Sequence, residues 1–356
     1  MHQNNWLIYG ANGYTGELIS REAVQRGWRP VLAGRNRQAI ETLAAALGLE
    51  YRIFGLDDLK AIEGGLKDCA VVLHCAGPFS HTAKPMIEAC LLTHTHYLDI
   101  TGEIAVFEAA ATYDAVAKLA GIMLLPGVGF DVVPTDCLAA QLKGQLPSAT
   151  HLALAFRGLG RTSRGTTVTA LESMSTGGMI RRDGKLLPVP TAWKTRRIDF
   201  GNGQGPLTTI TVPWGDVSTA YYTTGIPNIE VYVAFKPWFR RLVQSSRYFN
   251  WLLGSKPVQT FLKAQINAMP LGSTPKQRAR STSYVWGEVR DEAGHVVTAR
   301  LQTPDGYTLT VLTALAVVEQ ALGGRTPIGF QTPARAYGPE FIFTIEGVTR
   351  PPEGST

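Results

Sequence analysis

Apolar residues arrive in short runs that alternate with longer amphipathic stretches through the first third of the chain. WLIY (6–9) ends in Gly10, and apolar positions follow at Tyr14, Leu18, Ile19 and Val24 before Gly27. That spacing predicts a strand, a turn and a helix over 14–26. The alternation repeats as PVLAG (30–34) then a helix over 36–47, YRIFG (51–55) then 58–67, and AVVLHCAG (70–77) then 83–92. HYLDI (96–100), a helix over 104–119 and GIMLLPG (121–127) continue it. Continuously apolar strands alternating with helices predict a parallel sheet covered on both faces, a doubly wound α/β domain over 1–130.

Beyond residue 130 the pattern changes. A helix is expected over 133–142, and strands over 150–157, 207–213, 228–235, 282–290 and 296–303. Turn sequences stand at RDGK (182–185), GNGQGP (201–206) and DEAGH (291–295). An amphipathic helix over 308–322 is able to pack back on the first domain. The expected second domain is α+β and spans 131–349; 350–356 is a loose tail. Residues 237–263 place Trp238, Phe239, Leu242, Val243, Phe249, Leu252 and Leu253 at approximate helical spacing beside Arg240, Arg241, Arg247 and Lys256. Such a stripe packs on the protein body. A lid over an apolar substrate, a dimer interface and a membrane-surface helix are its other readings.

At 356 residues the chain has room for two domains. The charged fraction of 17% is below the roughly 25% of ordinary domains, which leaves surface for oligomerisation or an apolar cleft. The net charge of +6 is scattered except around 158–164, 181–185, 194–197 and 237–247, so no nucleic-acid arm is expected. A positive cleft for an anionic cofactor explains the balance better. Four cysteines without a C-x-x-C pair fit reduced thiols, neither a disulfide framework nor zinc. His94 and His96 alternate as two residues on one strand face would, but no third ligand accompanies them, so no metal is expected. His74 and Cys75 read as strand packing. With no signal-peptide pattern and no membrane-length apolar run, the reading is a soluble, cytoplasmic protein.

The first strand opens into Gly10-Ala11-Asn12-Gly13-Tyr14-Thr15-Gly16. Glycines at the start of a helix let a pyrophosphate approach free backbone N–H groups and the positive helix end. Side chains at Gly10 and Gly13 would obstruct it, and Gly16 lets the helix pack on the sheet. The second strand ends in Gly34, Arg35 and Asn36, without the acid that binds a ribose 2′-OH. A guanidinium there suits a 2′-phosphate, so NADP(H) is the expected cofactor. Arg37 reads as a helix-surface residue. Asp57 either meets the adenine or caps a helix, and Ala76, Gly77, Pro78 and Phe79 line the nicotinamide-ribose side.

GANGYTG, LAGRN, VVLHCAGPFSHTAKPMIEAC, HYLDITGE and GFDVVPTD occur in this order. With PWGDVSTAYYTTGIPNIEVYVAF (213–235) and IGFQTPARAYGPEF (328–341), they resemble the saccharopine dehydrogenase-like oxidoreductases, in particular their short bacterial members. The resemblance implies an NADP-binding Rossmann domain and a second α/β domain that contributes substrate contacts and a subunit interface, hence a homodimer. The group's activities include saccharopine reductases, polyamine-related dehydrogenases and trans-acting enoyl reductases. The second domain does not match the amino-acid-binding segments of saccharopine reductases, and 213–235 contains no Arg or Lys. A weakly polar enoyl or carbonyl substrate in the interdomain cleft is therefore expected.

Ligands bind at the carboxyl ends of parallel strands. On that rim Thr101 and Glu103 are candidates to orient substrate, although the pair also reads as a helix start. His81 and Asp131 are candidate proton donors, each with a helix-start alternative. Tyr337 is a third candidate, or a core aromatic. Two rivals remain. An imine, amino-acid or polyamine reductase would need basic side chains such as Arg161, Arg164 and Arg181, and an NADPH sensor would bind without turnover.

Overall fold

The computed structural model describes residues 6–158, 177–246 and 272–351, together with the single residues 167, 258 and 265. Its two compact units are Met1–Val133 with Leu309–Ala336, and Pro134–Thr308 with Tyr337–Thr356. Arg161 and Arg164, the aromatic and basic positions 247–256 of the striped segment, and residues 352–356 of the tail lie outside the described residues.

In the first unit the alternation becomes β1 (Trp6–Tyr9), β2 (Val31–Gly34), β3 (Tyr51–Ile53), β4 (Val71–His74), β5 (His96–Asp99) and β6 (Met123–Leu125). A short strand at Gly329–Phe330 joins β6, and all neighbours are parallel. Ile8 lies between Leu32 and Leu73, Leu73 beside Leu98, and Leu98 beside Leu125. This row of fully buried aliphatics crosses the middle of the sheet, which is why the strands read as unbroken apolar runs. From β1 the order proceeds to β2 and β3 on one side and to β4, β5 and β6 on the other. The direction of winding reverses between β1 and β4, and in such sheets that crevice takes the ligand.

The crossover helices are α1 (Tyr14–Gln25), α2 (Arg37–Leu47), α3 (Leu59–Leu66), α4 (Phe79–Thr93), α5 (Ile104–Thr112) and α6 (Asp114–Ala120). Two differ from expectation. α4 begins at Phe79, one turn before 83, and keeps Pro85 inside it. The 104–119 stretch divides at Tyr113, where the Asp114 carboxylate accepts the Phe330 amide at 2.8 Å. His94 and His96 do not share a strand face. His94 caps α4 in the left-handed conformation at φ 55°, and its Nδ1 meets the Ala120 carbonyl, while His96 Nδ1 accepts the Met123 amide.

The second unit holds β7 (His151–Arg157), β8 (Gly178–Arg182), β9 (Lys185–Val189), β10 (Thr195–Ile198), β11 (Leu207–Thr211), β12 (Asn228–Val233), β13 (Thr282–Arg290) and β14 (Val296–Pro304). Strands β10, β11, β12, β7, β13 and β14 are neighbours in that order, with the β8–β9 hairpin attached to β12. Only β12 and β7 pair in parallel. The RDGK turn joins β8 to β9 with Asp183 and Gly184 both at positive φ, a geometry that matches the strand twist. DEAGH joins β13 to β14, and the Asp291 carboxylate accepts from the His295 amide and the Ser148 hydroxyl at 2.8 Å each.

One face of this sheet receives α7 (Val133–Gln145): a side chain on Gly287 would meet Leu138 and Leu142. The other face gathers Ala153, Ala155, Tyr232 and Trp286 with Ile198 and Phe200. Within the striped segment, the helix Pro237–Ser246 buries Val243 against Ile210 and Ala192 and leaves Trp238 exposed. Among the described residues no helix is long and apolar enough to cross a membrane.

Candidate cofactor site and its rim

The glycine turn sits where β1 feeds α1. Gly10 adopts φ +78°, and a Cβ there would lie 2.8 Å from the Ala76 backbone nitrogen, so the loops after β1 and β4 touch at the reversal point. A Cβ on Gly16 would overlap the Gly10 carbonyl oxygen and come within 2.9 Å of Ala11 Cα. Gly16 thus admits α1 against the turn itself rather than against the body of the sheet. Gly13 is less constrained, its nearest neighbour being the Gly10 oxygen at 3.2 Å.

Helix ends distinguish this turn from its neighbours. Asn36 caps α2 by accepting the Ala39 amide at 3.1 Å, and Asp58 caps α3 by accepting the Lys60 amide at 3.0 Å. The expected alternative for Asp57 as a cap therefore falls to the next residue. The Asn36 side chain is likewise committed to its helix. α1 has no side-chain cap, because its cap position is Gly13. A glycine at that position leaves room for a phosphate to approach the first-turn amides and the positive end of the helix.

At the end of β2, a Cβ on Gly34 would sit tightly against Ile40 at 3.1 Å and the Asn12 side-chain oxygen at 3.2 Å. Arg35 is exposed and makes no ion pair among the described residues, whereas Arg37 is held by Glu41 at 3.0 Å. The Tyr9 hydroxyl donates to the Phe54 carbonyl at 3.0 Å. Burial pushes this phenol up to about 12, with the Arg35 charge lowering it and Asp57 raising it. Arg35 and Asp57 thus act on one point beneath the turn. Tyr14 and Thr15, in the first turn of α1, are both half-buried.

The β4–α4 loop, with a cis Gly77–Pro78 peptide, is held from two further sides. The Thr82 hydroxyl donates to the Ala76 carbonyl at 2.6 Å, so the His74 Nε2 only 3.0 Å from Thr82 Oγ1 must be the donor to it. That assigns the Nε2–H tautomer and leaves the buried Nδ1 without a hydrogen-bond partner among the described residues. Burial lowers this imidazole to about 3, so it stays neutral. From the other side the Glu103 carboxylate accepts the Phe79 amide at 2.8 Å and the Ser80 amide at 2.9 Å. This capping from another loop is what lets α4 start a turn early.

Thr101 is buried, and its hydroxyl accepts the Glu103 amide at 3.1 Å. Glu103 is the cap residue of α5, as the helix-start alternative had it, but its side chain makes no capping bond to that helix. Beneath them Asp99 accepts from Tyr97 at 2.6 Å and from the Thr101 and Gly127 amides at 2.9 Å each. Burial raises its carboxyl to about 6 against these stabilising bonds. Asp131 is half-buried against Gly102, with Oδ2 2.9 Å from the position of a Cβ there, and burial pushes it up to about 7. His81 lies exposed in the first turn of α4. Tyr337 belongs to the second unit, where its ring packs on Phe341 at 5.2 Å. Asp99, Thr82 and the loop-holding role of Glu103 escaped the sequence reading; a polar residue closing an apolar strand, as Asp99 does, was the available signal.

Among the described residues no cluster of His, Cys, Asp and Glu could hold a metal ion. Residues 6–125 match the family described as the saccharopine dehydrogenase NADP binding domain. A bovine saccharopine dehydrogenase-like oxidoreductase is 27% identical over 150 residues, 36% of this chain and 35% of that protein. A trans-acting enoyl reductase of Mycobacterium leprae is 29% identical over 147 residues, 38% of this chain and 34% of that protein. The matches thus span about a third of these relatives' length. The apo saccharopine dehydrogenase (L-Glu forming) of Saccharomyces cerevisiae superposes with a TM-score of 0.67 at 12% identity, covering 96% of each chain, and shares the fold.

Proposed function

We propose that this chain, which belongs through residues 6–125 to the saccharopine dehydrogenase NADP-binding domain family, reduces a weakly polar enoyl or carbonyl substrate with NADPH. The observation that carries the cofactor half is the pairing of an α1 terminus whose cap residue, Gly13, brings no side chain with an Arg35 that has no carboxylate partner among the described residues. Close packing at Gly10 and Gly16 fixes the shape of the turn, while a Cβ on Gly13 would meet only the Gly10 carbonyl oxygen, at 3.2 Å, which leaves that side of the turn for a pyrophosphate. Residues Gly10 to Gly16 receive the pyrophosphate, Arg35 the 2′-phosphate and Asp57 the adenine side. Ala76 to Phe79 bound the nicotinamide ribose. Bound NADPH supplies the hydride.

Asp131 is the proton donor in this reading. It stands on the carboxyl rim of the sheet, and a carboxyl raised to about 7 retains its proton near neutrality. His81 is open to water on α4, and no described residue holds its ring toward the rim. A weakly polar substrate is favoured because Arg181, a basic candidate for an amino-acid substrate, is spent. Its Nε donates to the Val217 carbonyl at 2.9 Å, its Nη1 to the Gly184 carbonyl at 2.8 Å, and it stacks on Tyr221. The trans-acting enoyl reductase name among the relatives points the same way.

The test is a fluorescence titration with NADPH and NADH side by side at fixed ionic strength, followed by NADPH consumption with enoyl and carbonyl substrates. Arg35→Ala is expected to weaken NADPH by about 1–3 kcal/mol and NADH hardly at all. Equal loss for both cofactors refutes the 2′-phosphate role, and binding without turnover of any such substrate leaves a sensor.

A further inference from the structure

The second unit carries a charged pocket that the proposed function does not use. Its sheet does not stay flat: Arg196 on β10 reaches Glu288 on β13 at 2.6 Å, and Arg300 on β14 donates to the Asp199 carbonyl just after β10 at 2.9 Å. Strands that are far apart in the sheet order therefore meet across one face. The sheet curls into a half-barrel whose floor is Ala155, Tyr232, Trp286, Ile198 and Phe200. Alanines on β7 leave room inside, and a pocket of about 390 Å³ opens at the mouth.

Strand register orders the lining. Arg290 pairs with His151, His151 with Asn228, and Asn228 stands opposite Arg182 because Ile229 pairs with Arg181 in the antiparallel β12–β8 contact. These four residues form one row across four strands, on the same face. One step deeper lie Glu230 and Glu288, and below them Tyr232 and Trp286. Both carboxylates are already neutralised: Lys194 and the Tyr232 hydroxyl bond to Glu230 at 2.5 Å each, and Arg196 bonds to Glu288. The pocket is lined by five Lys and Arg residues against two Glu, an excess of three positive charges. With Arg181 spent on backbone carbonyls, the cations left without a carboxylate among the described residues are Arg182 and Arg290, both exposed at the two ends of the row.

We propose that this mouth is a binding site for a small molecule carrying two or more negative charges, phosphoryl or carboxylate, gripped between Arg182 and Arg290 with His151 between them. Three strand spacings of about 4.8 Å separate the two arginines, a span of about 14 Å that two long side chains close onto a compact anion but not onto a single chloride. The barrel-mouth setting is one where ligand sites recur. The fixed ion pairs beneath serve as a rigid base that neither attracts nor repels the ligand strongly. This site is separate from the nucleotide turn and does not depend on the function proposed above.

The experiment titrates the full chain with inorganic pyrophosphate and with citrate, by calorimetry, with sodium chloride holding the ionic strength constant. Binding of pyrophosphate alone assigns phosphoryl groups, and binding of citrate alone assigns carboxylates. Because Arg182 and Lys194 lie over Trp193, at 5.9 and 4.6 Å, tryptophan fluorescence should change with the same midpoint. Arg182→Ala and Arg290→Ala should each weaken binding roughly tenfold or more, and either variant suffices if the other fails to fold. Gly13→Leu, which blocks the nucleotide turn and any pyrophosphate binding there, should keep the component of binding that the arginine substitutions weaken. Binding of neither anion, indifference to both arginine substitutions, or loss of that component in Gly13→Leu overturns the proposal.

Discussion

Glu103→Ala is the substitution whose cost follows most directly from the geometry. The carboxylate crosses from the loop after β5 to accept two first-turn amides of α4, Phe79 at 2.8 Å and Ser80 at 2.9 Å. A hydrogen bond to a charged group contributes about 1.5–3 kcal/mol, and a carboxylate at a helix amino terminus adds about 0.3–1 kcal/mol through the dipole. The two bonds do not count equally. Phe79 is buried, so its amide is left largely without water, whereas Ser80 is exposed and its amide rehydrates. The expected loss is therefore near one full bond plus the dipole, about 2–3 kcal/mol. Glu103→Gln should lose less, about 1–2 kcal/mol, because its oxygen still serves one amide while its NH2 faces the other donor. Urea unfolding with an unchanged m-value measures both. A parallel NADPH titration should show several-fold weaker binding in the alanine variant, since the loosened Ala76–Phe79 loop abuts Gly10. Unfolding of Glu103→Ala within about 0.5 kcal/mol of wild type would refute the reasoning, as would a glutamine variant no better than alanine.

Two further substitutions separate folding from binding and charge from shape. Gly16→Ala, despite a gain of about 1 kcal/mol in helix propensity, should destabilise by about 1–3 kcal/mol because the Gly10 backbone must move, while Gly13→Ala should fold as wild type and lose NADPH affinity. Equal melting temperatures for the two would show that the turn is looser than drawn. Asp131→Asn tests the raised carboxyl: from an unfolded value of about 3.9 to about 7 in the fold, the native state holds the extra proton, so wild-type stability falls as pH rises between these values and is flat beyond them. Three units would amount to about 4 kcal/mol, and because part of the side chain reaches water about 1–3 kcal/mol is expected. The variant should lack this fall when urea midpoints are compared at pH 4.5 and 8, and it should also lose the decline in turnover above about pH 7.

How much of this was legible depends on how far each contact reaches along the chain. The glycine turn, the parallel strands and the RDGK turn were readable because each is fixed by neighbours within a few residues: a positive φ, an apolar run, a two-residue turn. Arg37 was readable too, its partner Glu41 lying one helical turn away. Glu103 was not, because its partners lie 23 and 24 positions earlier, and no local pattern tells a carboxylate that starts its own helix from one that caps another. The early start of α4 failed for the same reason, since it waits on that carboxylate. His74 read as packing and is packed, against Tyr9, Phe79 and Tyr97; what the sequence hid is that its one paired nitrogen steadies Thr82 and, through it, Ala76.

The basic runs around 181–185 and 194–197 carry the same lesson in the other direction. Along the chain they stood out as clusters of charge with no role attached, and short strands such as β8 and β10, with arginine at successive positions, offered no clean alternation to read. Once the sheet curls, register separates their members by function. Arg181 turns in and is satisfied by carbonyls, Lys194 and Arg196 neutralise the two glutamates, and Arg182 is left facing Arg290. Pairing of carboxylates at the second row and excess cations at the first is what divides a charged surface from a site, because only unpaired charge has something to gain from a ligand. The same division applies in the first unit: Arg37 pairs within its helix and Arg35 does not, so the positive charge that a phosphate would find is the one whose local partner is missing.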